Sequence, residues 1–330
     1  MRILKLDVHV TRGDAVESWH RVHAAVVHAR HGLLAAAREA RLVTSWRSCA
    51  KPFQVMPMLE SNDFEELGWG DDELALACAS HGGEPEHVAV AGSMLSDIGL
   101  EEGDLACGPH EPLSKRGARH LRENGTTPTR LHNNCSGKHA AMLGRAHVRG
   151  WETQGYERDG HPVQAGCLAS VVRWAEMDAA HIGRAVDGCG VVVFSLSLER
   201  MATAYAGLAR AVATGDAVPS RIVSAMGTRP FLVGGTERFD SVLIEESNGR
   251  IIPKVGAEGV HSAAVLSQEV GVAIKVEDGA ARAQYPALLR LLQLIDALPD
   301  PLPQRLQEFA RTRVRNTRGE IVGDIGPADA

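Results

Sequence analysis

The 330-residue chain is poor in aromatic side chains and has no excess of basic ones. Phe, Trp and Tyr make up 4% of it, so the core must consist mainly of Ala, Val, Leu and Ile. The formal net charge is −6, with the charges interspersed, which argues against nucleic acid as the main partner. No apolar stretch is long enough to span a bilayer. With 44% hydrophobic and 23% charged residues, the composition is that of an ordinary soluble globular protein.

Cysteines are also few. The six present are scattered, without the density of a disulfide-stabilised scaffold. The segment 1–8 alternates between apolar and polar residues and lacks the apolar block of a signal peptide. We therefore expect a cytoplasmic protein with reduced thiols, some of them free to bind metal. No repeat, low-complexity tract or long linker divides the chain, so residues 1–330 are expected to form a single unit.

Hydrophobic patterns predict early strands, a helical middle and a late antiparallel sheet. Strands are predicted at 3–10, 22–29, 32–38, 190–198, 241–246, 251–255, 260–267 and 270–276, and helices through most of 48–180 and at 201–212 and 280–294. Asn248-Gly249 is the strongest short hairpin signal, and short connections allow antiparallel pairing. The predicted class is α+β, with a sheet from about 1–47 and 188–295 and a helical part at about 48–187. Residues 301–330 begin as a polar, proline-containing segment, and the last few are expected to fray.

The stretch Arg47-Ser48-Cys49-Ala50-Lys51 places a hydroxyl three residues before an amine, where a helix would begin. Residues three apart share a helix face, so the Lys51 amine can reach the Ser48 hydroxyl. A neutral lysine can take the proton from a serine and so make it nucleophilic. The same S-x-x-K spacing occurs in penicillin-binding proteins and class A β-lactamases. Taken alone, the stretch is more simply interpreted as a serine N-cap followed by a solvated lysine.

Two glycine-containing motifs could line a pocket. In the first, Ser80 at a predicted helix end is followed by His81 and two glycines, which let backbone approach a ligand closely. A glycine C-cap is the simpler interpretation. In the second, Lys254-Val255-Gly256 on a late strand resembles the Lys-Thr-Gly element of S-x-x-K enzymes, with valine in place of threonine. Its alternative is a solvated lysine on an edge strand.

Cysteines and a histidine indicate a metal site. Cys135 and His139 are four residues apart, a helical ligand spacing, and Cys189 could complete the site from a loop. Two thiolates and a nitrogen suit zinc better than a hard cation. The alternative is a turn of small and polar residues in which the cysteines are simply buried.

Together and in this order, the motifs resemble the asparaginase II family, the Rhizobium-type L-asparaginases. Further matching stretches are Arg12-Gly13 through Glu17 and His20, residues 132–139, Asp187-Gly188-Cys189-Gly190, residues 254–259 and residues 275–279. The resemblance implies a hydrolase that converts L-asparagine to L-aspartate and ammonia. It also implies a homodimer and a fold similar to serine β-lactamases and β-lactamase-like glutaminases, with the whole chain as one catalytic unit.

The resemblance also implies the residues of the site. Two Ser–Lys pairs, Ser48–Lys51 and Ser80–Lys254, would be catalytic, and the primary nucleophile between the two serines stays open. Zinc would be held by Cys135, Lys138 and Cys189, so that a neutral lysine replaces His139 as the nitrogen ligand. The residues expected to bind substrate are Arg47, His81, Asp187, Gly256 and Glu258.

Other functions stay open beside this one. The chain could be another S-x-x-K hydrolase, such as a glutaminase or a β-lactam-active enzyme, or a non-catalytic protein that binds zinc or an amino acid. It departs from the family pattern at Val22 and along 39–46, where Trp46 replaces a typical proline. These departures would alter the pocket rim and the substrate preference, but they leave the proposed nucleophiles in place.

Overall fold

The computed structural model describes residues 1–328 and mixes helices with largely antiparallel sheets there. The strands are β1 (Arg2–Ile3), β2 (Val8–Arg12), β3 (Ala15–His20), β4 (Val22–His28), β5 (Gly32–Ala37), β6 (Val43–Ser45), β7 (Gly183–Val186), β8 (Val192–Ser197), β9 (Ile251–Val255), β10 (Val260–Val265), β11 (Val270–Val276), β12 (Thr312–Arg315) and β13 (Ile321–Pro327). The helices are α1 (Lys51–Glu60), α2 (Asp63–Glu66), α3 (Asp71–Cys78), α4 (Pro85–Asp97), α5 (Lys115–Asn124), α6 (Ser136–Val148), α7 (Pro162–Ala175), α8 (Leu198–Ala213), α9 (Ala217–Thr228), α10 (Pro230–Val233), α11 (Phe239–Glu246), α12 (Ala281–Leu294) and α13 (Gln304–Ala310). The predicted α+β class is confirmed.

The central sheet has six strands in the order β1–β5–β4–β11–β10–β9. All its pairings are antiparallel except that of β1 with β5. Alternate residues of a strand face opposite sides, so Ala25 and Val27 of β4 join one core with α8, while Ala24 and Val26 join another with α12. Because both faces are covered, β10 and β11 are buried along almost their whole length and form continuous apolar runs.

The segment 241–246 was expected to be a strand, and this prediction is wrong. It lies in helix α11 (Phe239–Glu246), since a short apolar run does not distinguish a buried helix from a strand. Asn248 and Gly249 do not form a hairpin but close this helix. Both have positive φ, of 51° and 69°, and the Gly249 N–H donates to Ile244 O at 2.8 Å. In this part of the chain, the hairpins join β9 to β10 and β10 to β11.

Strands from the two ends of the chain pair in one sheet. The predicted strand 3–10 divides into β1 and β2, which join different sheets. The C-terminal segment is more ordered than its polarity suggests, because α13, β12 and β13 follow one another and β13 pairs with β2. The expected fraying concerns residues 329–330, which lie outside the described part of the chain. No helix within 1–328 has both the length and the apolar composition needed to cross a membrane.

Candidate active site

A cavity of about 230 Å³ brings together most of the predicted site residues. Those on its wall are Arg47, Ser48, Ser80, Cys135, Asp187, Cys189 and Gly256. They come from distant parts of the chain: the turn before α1, the end of α3, the loop before α6, the loop between β7 and β8, and the end of β9. A volume of this size suits a small molecule such as an amino acid.

Ser80 lies at the centre of the polar contacts. Lys254 Nζ lies 2.7 Å from Ser80 Oγ, and Lys51 Nζ lies 3.2 Å from the same oxygen. Both lysines are buried, with at most 1% of their surface exposed. The predicted Ser80–Lys254 pair is therefore brought together, with Lys51 as a second amine on the same hydroxyl.

The predicted Ser48–Lys51 pair has no hydrogen bond within residues 1–328. Lys51 Nζ instead donates to Ala79 O and lies 3.2 Å from Asn134 O, in addition to Ser80. A buried amine has to satisfy its N–H groups, and these three oxygens match the three N–H bonds of an ammonium. Ser48 is half-buried on the cavity wall, and its hydroxyl has no hydrogen bond with any described residue.

The environment of Lys254 favours its neutral form. Burial lowers the pKa of this amine, and the charge of Lys51 adds to the effect, while the carboxylate of Asp240 opposes it. The resulting pKa is about 8. Lys254 can therefore accept a proton from Ser80 near neutral pH.

Asp240 and His261 lie behind Lys254 and were missed from the sequence. Asp240 Oδ2 accepts the Val255 N–H at 2.8 Å and lies 4.0 Å from Lys254 Nζ. His261 Nε2 approaches Asp240 Oδ1 to 2.9 Å, outside hydrogen-bond geometry. No sequence signal connected them, since Asp240 immediately precedes the segment 241–246, which is predicted as a strand, and His261 lies on another element.

Arg47 and Asp187 form an ion pair on the cavity wall. Arg47 Nε donates to Asp187 Oδ1 at 2.8 Å, and the Gly188 N–H donates to the same oxygen at 2.7 Å. Arg47 has a φ of 54°, a left-handed conformation that is uncommon for arginine and is found more often at functional sites. Arg238 also lines the cavity, without a carboxylate partner among the described residues, and no motif pointed to it.

His81 and Glu258 do not line the cavity. His81 is fully buried: it accepts the Gly83 N–H at 3.2 Å on Nδ1 and faces Ser136 Oγ at 2.9 Å with Nε2. Burial lowers the pKa of its imidazole well below the usual value, so this ring is neutral and holds the loop after Ser80. Glu258 is exposed, and its carboxylate lies against Gly279.

Gly256 does line the cavity, but its N–H is occupied, since it donates to Val260 O at 2.8 Å. Ala257 follows it on the cavity wall, and its N–H has no acceptor among residues 1–328. A side chain at 256 would press against Cys49 Sγ, 3.0 Å from the added carbon. The glycine is therefore needed for packing, while the free backbone donor belongs to its neighbour.

Cys135, Lys138 and Cys189 meet at one side of the cavity. Lys138 Nζ lies 3.1 Å from Cys189 Sγ. A hydrogen bond from Cys135, together with the Lys138 charge, lowers the pKa of Cys189 to about 4, while the pKa of Cys135 is raised to about 12. Two sulfurs and an amine form a donor set that fits a soft ion such as zinc, provided that Lys138 gives up its proton.

His139 does not join this group. Its Nδ1 faces the Tyr156 hydroxyl at 2.6 Å, and burial lowers the pKa of its ring to about 3. Within 1–328, no group of three or more His, Cys, Asp and Glu side chains is arranged to hold a metal ion. A zinc site on these residues therefore requires Lys138 as its nitrogen ligand.

Comparison with solved structures finds Mglu. Its native form and its glutamate form each share 14% identity with this chain at a TM-score of 0.46, over 84% of this chain and 64% and 61% of theirs. Mglu in its tris and glutamate form shares 17% at a TM-score of 0.39, over 84% and 59%. The chain thus spans less than two thirds of the Mglu chains. No curated protein sequence matches it. The model of the L-asparaginase II family matches residues 8–327, and the chain belongs to this family.

Proposed function

We propose that the protein hydrolyses the side-chain amide of L-asparagine to L-aspartate and ammonia. Membership of the L-asparaginase II family supports an amidohydrolase activity in general. The observation that carries the proposal is the contact of two buried lysines with the Ser80 hydroxyl, beside Ser48 in one cavity. These groups can take up and return the protons that amide hydrolysis moves.

The first step prepares a base for Ser48. Lys51 passes a proton to Ser80 Oγ while Ser80 passes its own proton to Lys254, whose pKa of about 8 leaves it partly neutral. The number of protons is unchanged, but Lys51 is now the neutral amine. Lys51 and Ser48 share no hydrogen bond in this structure, and catalytic hydrogen bonds commonly tighten only when substrate binds. In that complex Lys51 accepts the Ser48 proton as Ser48 Oγ attacks the amide carbon.

Attack places negative charge on the carbonyl oxygen. The Ser48 and Ala257 N–H groups are free backbone donors on the cavity wall and form the proposed oxyanion hole. In other hydrolases one such donor contributes about 3–4 kcal/mol to the transition state. The amide nitrogen then takes a proton from Ser80 and leaves as ammonia, and water cleaves the Ser48 ester to release aspartate.

Charged groups on the wall account for binding of an amino acid. The Asp187 carboxylate is the proposed partner of the substrate ammonium group. Arg47 is held by Asp187, whereas the guanidinium of Arg238 has no carboxylate partner within residues 1–328 and is the proposed cation for the α-carboxylate. Together they hold the side-chain amide toward Ser48.

Cys135, Lys138 and Cys189 are the proposed ligands of a zinc ion. When bound, zinc supplies an open coordination position that orients the substrate. The residues of the proton pathway do not depend on it. A homodimer and a cytoplasmic location belong to the same proposal and are carried over from the sequence.

Ammonia release from L-asparagine and L-glutamine, with metal content measured on the same sample, tests the proposal. We expect release from asparagine and about one zinc per chain if the metal proposal holds. Hydrolysis of a chromogenic β-lactam without ammonia release would indicate another S-x-x-K enzyme instead. Binding of asparagine without turnover at high enzyme concentration would indicate a non-catalytic protein.

A further inference from the structure

The least ordinary feature behind the cavity is a buried carboxylate with two basic neighbours. Asp240, Lys254 and His261 have at most 3% of their surface exposed. An isolated charge is costly in such a place, and buried charges persist only when they are paired. Lys254 touches Ser80, so the pairing within this group bears on the proton that catalysis must move.

The contacts hold Asp240 beside Lys254, and Asp240 does not line the 230 Å³ cavity. Its Oδ2 accepts the Val255 N–H at 2.8 Å, which anchors the carboxylate to the residue after Lys254. The same oxygen lies 4.0 Å from Lys254 Nζ, so it attracts the amine without taking the place of Ser80. Phe239 and Tyr285 pack around His261 and keep the group dry.

His261 occupies the other oxygen of Asp240. Its Nε2 approaches Oδ1 to 2.9 Å, and its Nδ1 lies 3.4 Å from Gln284 Nε2. Gln284 Nε2 donates its two protons to Gly256 O at 3.1 Å and Val260 O at 2.5 Å. Two bare acceptors would repel each other at the 2.9 Å between Nε2 and Asp240 Oδ1, so Nε2 carries the proton on this side of the ring. His261 thus draws the negative charge of Asp240 away from Lys254.

We infer that Asp240 and His261 are positioning residues that set how readily Lys254 accepts the proton of Ser80. This inference rests on the proposed function and extends it to two residues that touch neither substrate nor Ser80. The carboxylate favours the charged form of Lys254, and His261 moderates it. The pair thereby sets the pH above which the serine can be activated.

Other groups also act on the Lys254 amine. The charged and titratable groups packed around it are Lys51 of α1, Asp240 of α11, His261 of β10, Cys49 of the turn before α1, Cys78 of α3 and Cys135 of the loop before α6. The thiols are buried, and burial keeps the pKa of Cys49 and Cys78 at about 12, so these two are neutral in the working range. Asp240 is therefore the main negative charge beside Lys254.

A purely structural role for Asp240 is the competing explanation, because it lies in the first turn of α11, where a carboxylate stabilises the helix dipole. Asp63 provides a matched control. It is also fully buried, lies in the first turn of α2 and pairs with Arg149, but it does not line the cavity and does not contact Lys254 or Ser80. Loss of either carboxylate should cost stability, and only the loss of Asp240 should change the pH dependence.

The test is the pH dependence of kcat/KM for ammonia release by wild type, Asp240→Asn, His261→Leu and Asp63→Asn. In this profile, kcat/KM falls on the acid side as Lys254 becomes protonated, and this part of the curve is called the acid limb. Asp240→Asn removes a charge that holds the proton on Lys254, so the acid limb should move to lower pH by about one unit or more. In His261→Leu the full negative charge of Asp240 acts on Lys254 and favours its protonated form. The acid limb should therefore move to higher pH. Asp63→Asn should lower the unfolding temperature without moving the limb.

An unmoved limb in a folded Asp240→Asn protein would overturn the inference, and so would shifts of the same sign in both variants. If one variant does not fold, the sign of the shift in the other decides. In a second measurement, the rate at which a fluorophosphonate probe labels the active serine is determined against pH for the same four proteins. This rate depends on serine activation and not on asparagine turnover. A shifted labelling profile without ammonia release would uphold the positioning role while rejecting the proposed function.

Discussion

The Ser80 hydroxyl touches two buried lysines but has only one proton to give. The oxygen can accept from both amines, and once Lys254 is neutral that lysine accepts the Ser80 proton while Lys51 donates to the oxygen. This asymmetry makes Ser80 a proton carrier. The Ser48 hydroxyl, which has no hydrogen bond within residues 1–328 and lies on the same cavity wall, is placed to attack.

Ser80→Ala should interrupt this pathway while leaving Ser48 in place. We expect kcat for ammonia release to fall by about 10²- to 10⁴-fold, the range for loss of a general acid–base group. Ser170→Ala is the matched control, because Ser170 is a buried serine on α7 whose hydroxyl has no hydrogen-bond partner in the described part of the chain. A Ser80→Ala enzyme with wild-type kcat would contradict the carrier role.

Arg238 should matter only for substrates that have an α-carboxylate. With Arg238→Gln, kcat/KM for L-asparagine should fall by about 10- to 100-fold, the effect of losing a charge-assisted hydrogen bond. The rate for an analogue in which the α-carboxylate is replaced by hydrogen should hardly change. Arg210→Gln, at an exposed position of α8 away from the cavity, should leave both rates alone. An equal loss on both substrates would place Arg238 outside the carboxylate site.

The sequence predicted the chemical groups of the site better than their pairing. Ser48, Lys51, Ser80 and Lys254 were found because each lies in a short motif with fixed spacing. The partners of Lys51 could not be found in this way. The oxygens that accept from its amine belong to Ala79, Ser80 and Asn134, which are far from Lys51 in the chain. Asp240 lies in no recognisable motif, and it comes close to Lys254 only because α11 packs against β9.

At the scale of elements, helices α3 and α6 approach each other closely beside the cavity. A Cβ atom at Gly137 in α6 would lie 2.5 Å from Leu76 O in α3, closer than real Cβ contacts. Ser80 follows the end of α3, and Cys135 immediately precedes α6. The glycine therefore sets the separation between the Ser80 loop and the cysteine wall.

Gly137→Ala should push these two helices apart. Overpacking typically costs about 1–3 kcal/mol of unfolding free energy, and here it should also reduce kcat because Ser80 moves. Thermal unfolding and ammonia release measure the two effects. Gly108→Ala, at a position where an added carbon meets nothing within 4 Å, is the control. A stable and fully active Gly137→Ala protein would show that α3 and α6 can separate without cost to the site.

Helix α11 shows why element type was partly hidden. Its run of apolar residues is as short as a strand, and the Asn-Gly that follows is typical of hairpins as well as of left-handed helix ends. The type was decided by packing that local sequence does not encode. The longer helix α8, predicted as 201–212 and observed as Leu198–Ala213, had enough turns for its pattern to decide.

At the scale of the whole molecule, several histidines are buried and uncharged. Burial lowers the pKa of His81, His87 and His139 below the usual 6.5. In the unfolded chain these rings take up protons as the pH falls through about 6.5, and in the folded protein they do not. Folding stability is therefore complete above that pH and declines below it, by about 1.4 kcal/mol per pH unit for each such ring.

The unfolding temperature should fall by at least about 3 °C between pH 7.5 and pH 5.5, measured at constant salt. His139→Gln should have a lower unfolding temperature than wild type at pH 7.5, because the contact with Tyr156 is lost. Its unfolding temperature should also change less with pH. An unfolding temperature that does not change over this range would contradict the assignment of these rings as neutral.

The α+β class could be predicted because composition and hydrophobic periodicity act along the whole chain. The division of the helices could not, since α9, α10 and α11 lie within 188–295, the range assigned to the sheet. The pairing of β13 with β2 joins segments more than 300 residues apart. Such a contact leaves no trace in the local pattern of either strand.

The most direct test of covalent amide hydrolysis at this site is ammonia release from L-asparagine by Ser48→Ala, at enzyme concentrations high enough to detect a single turnover. The wild-type protein should release ammonia, and the variant should be slower by at least about 10³-fold, since a nucleophile cannot be replaced by its neighbours. Its unfolding temperature should stay close to that of wild type. Unchanged asparagine hydrolysis by folded Ser48→Ala would contradict attack by Ser48.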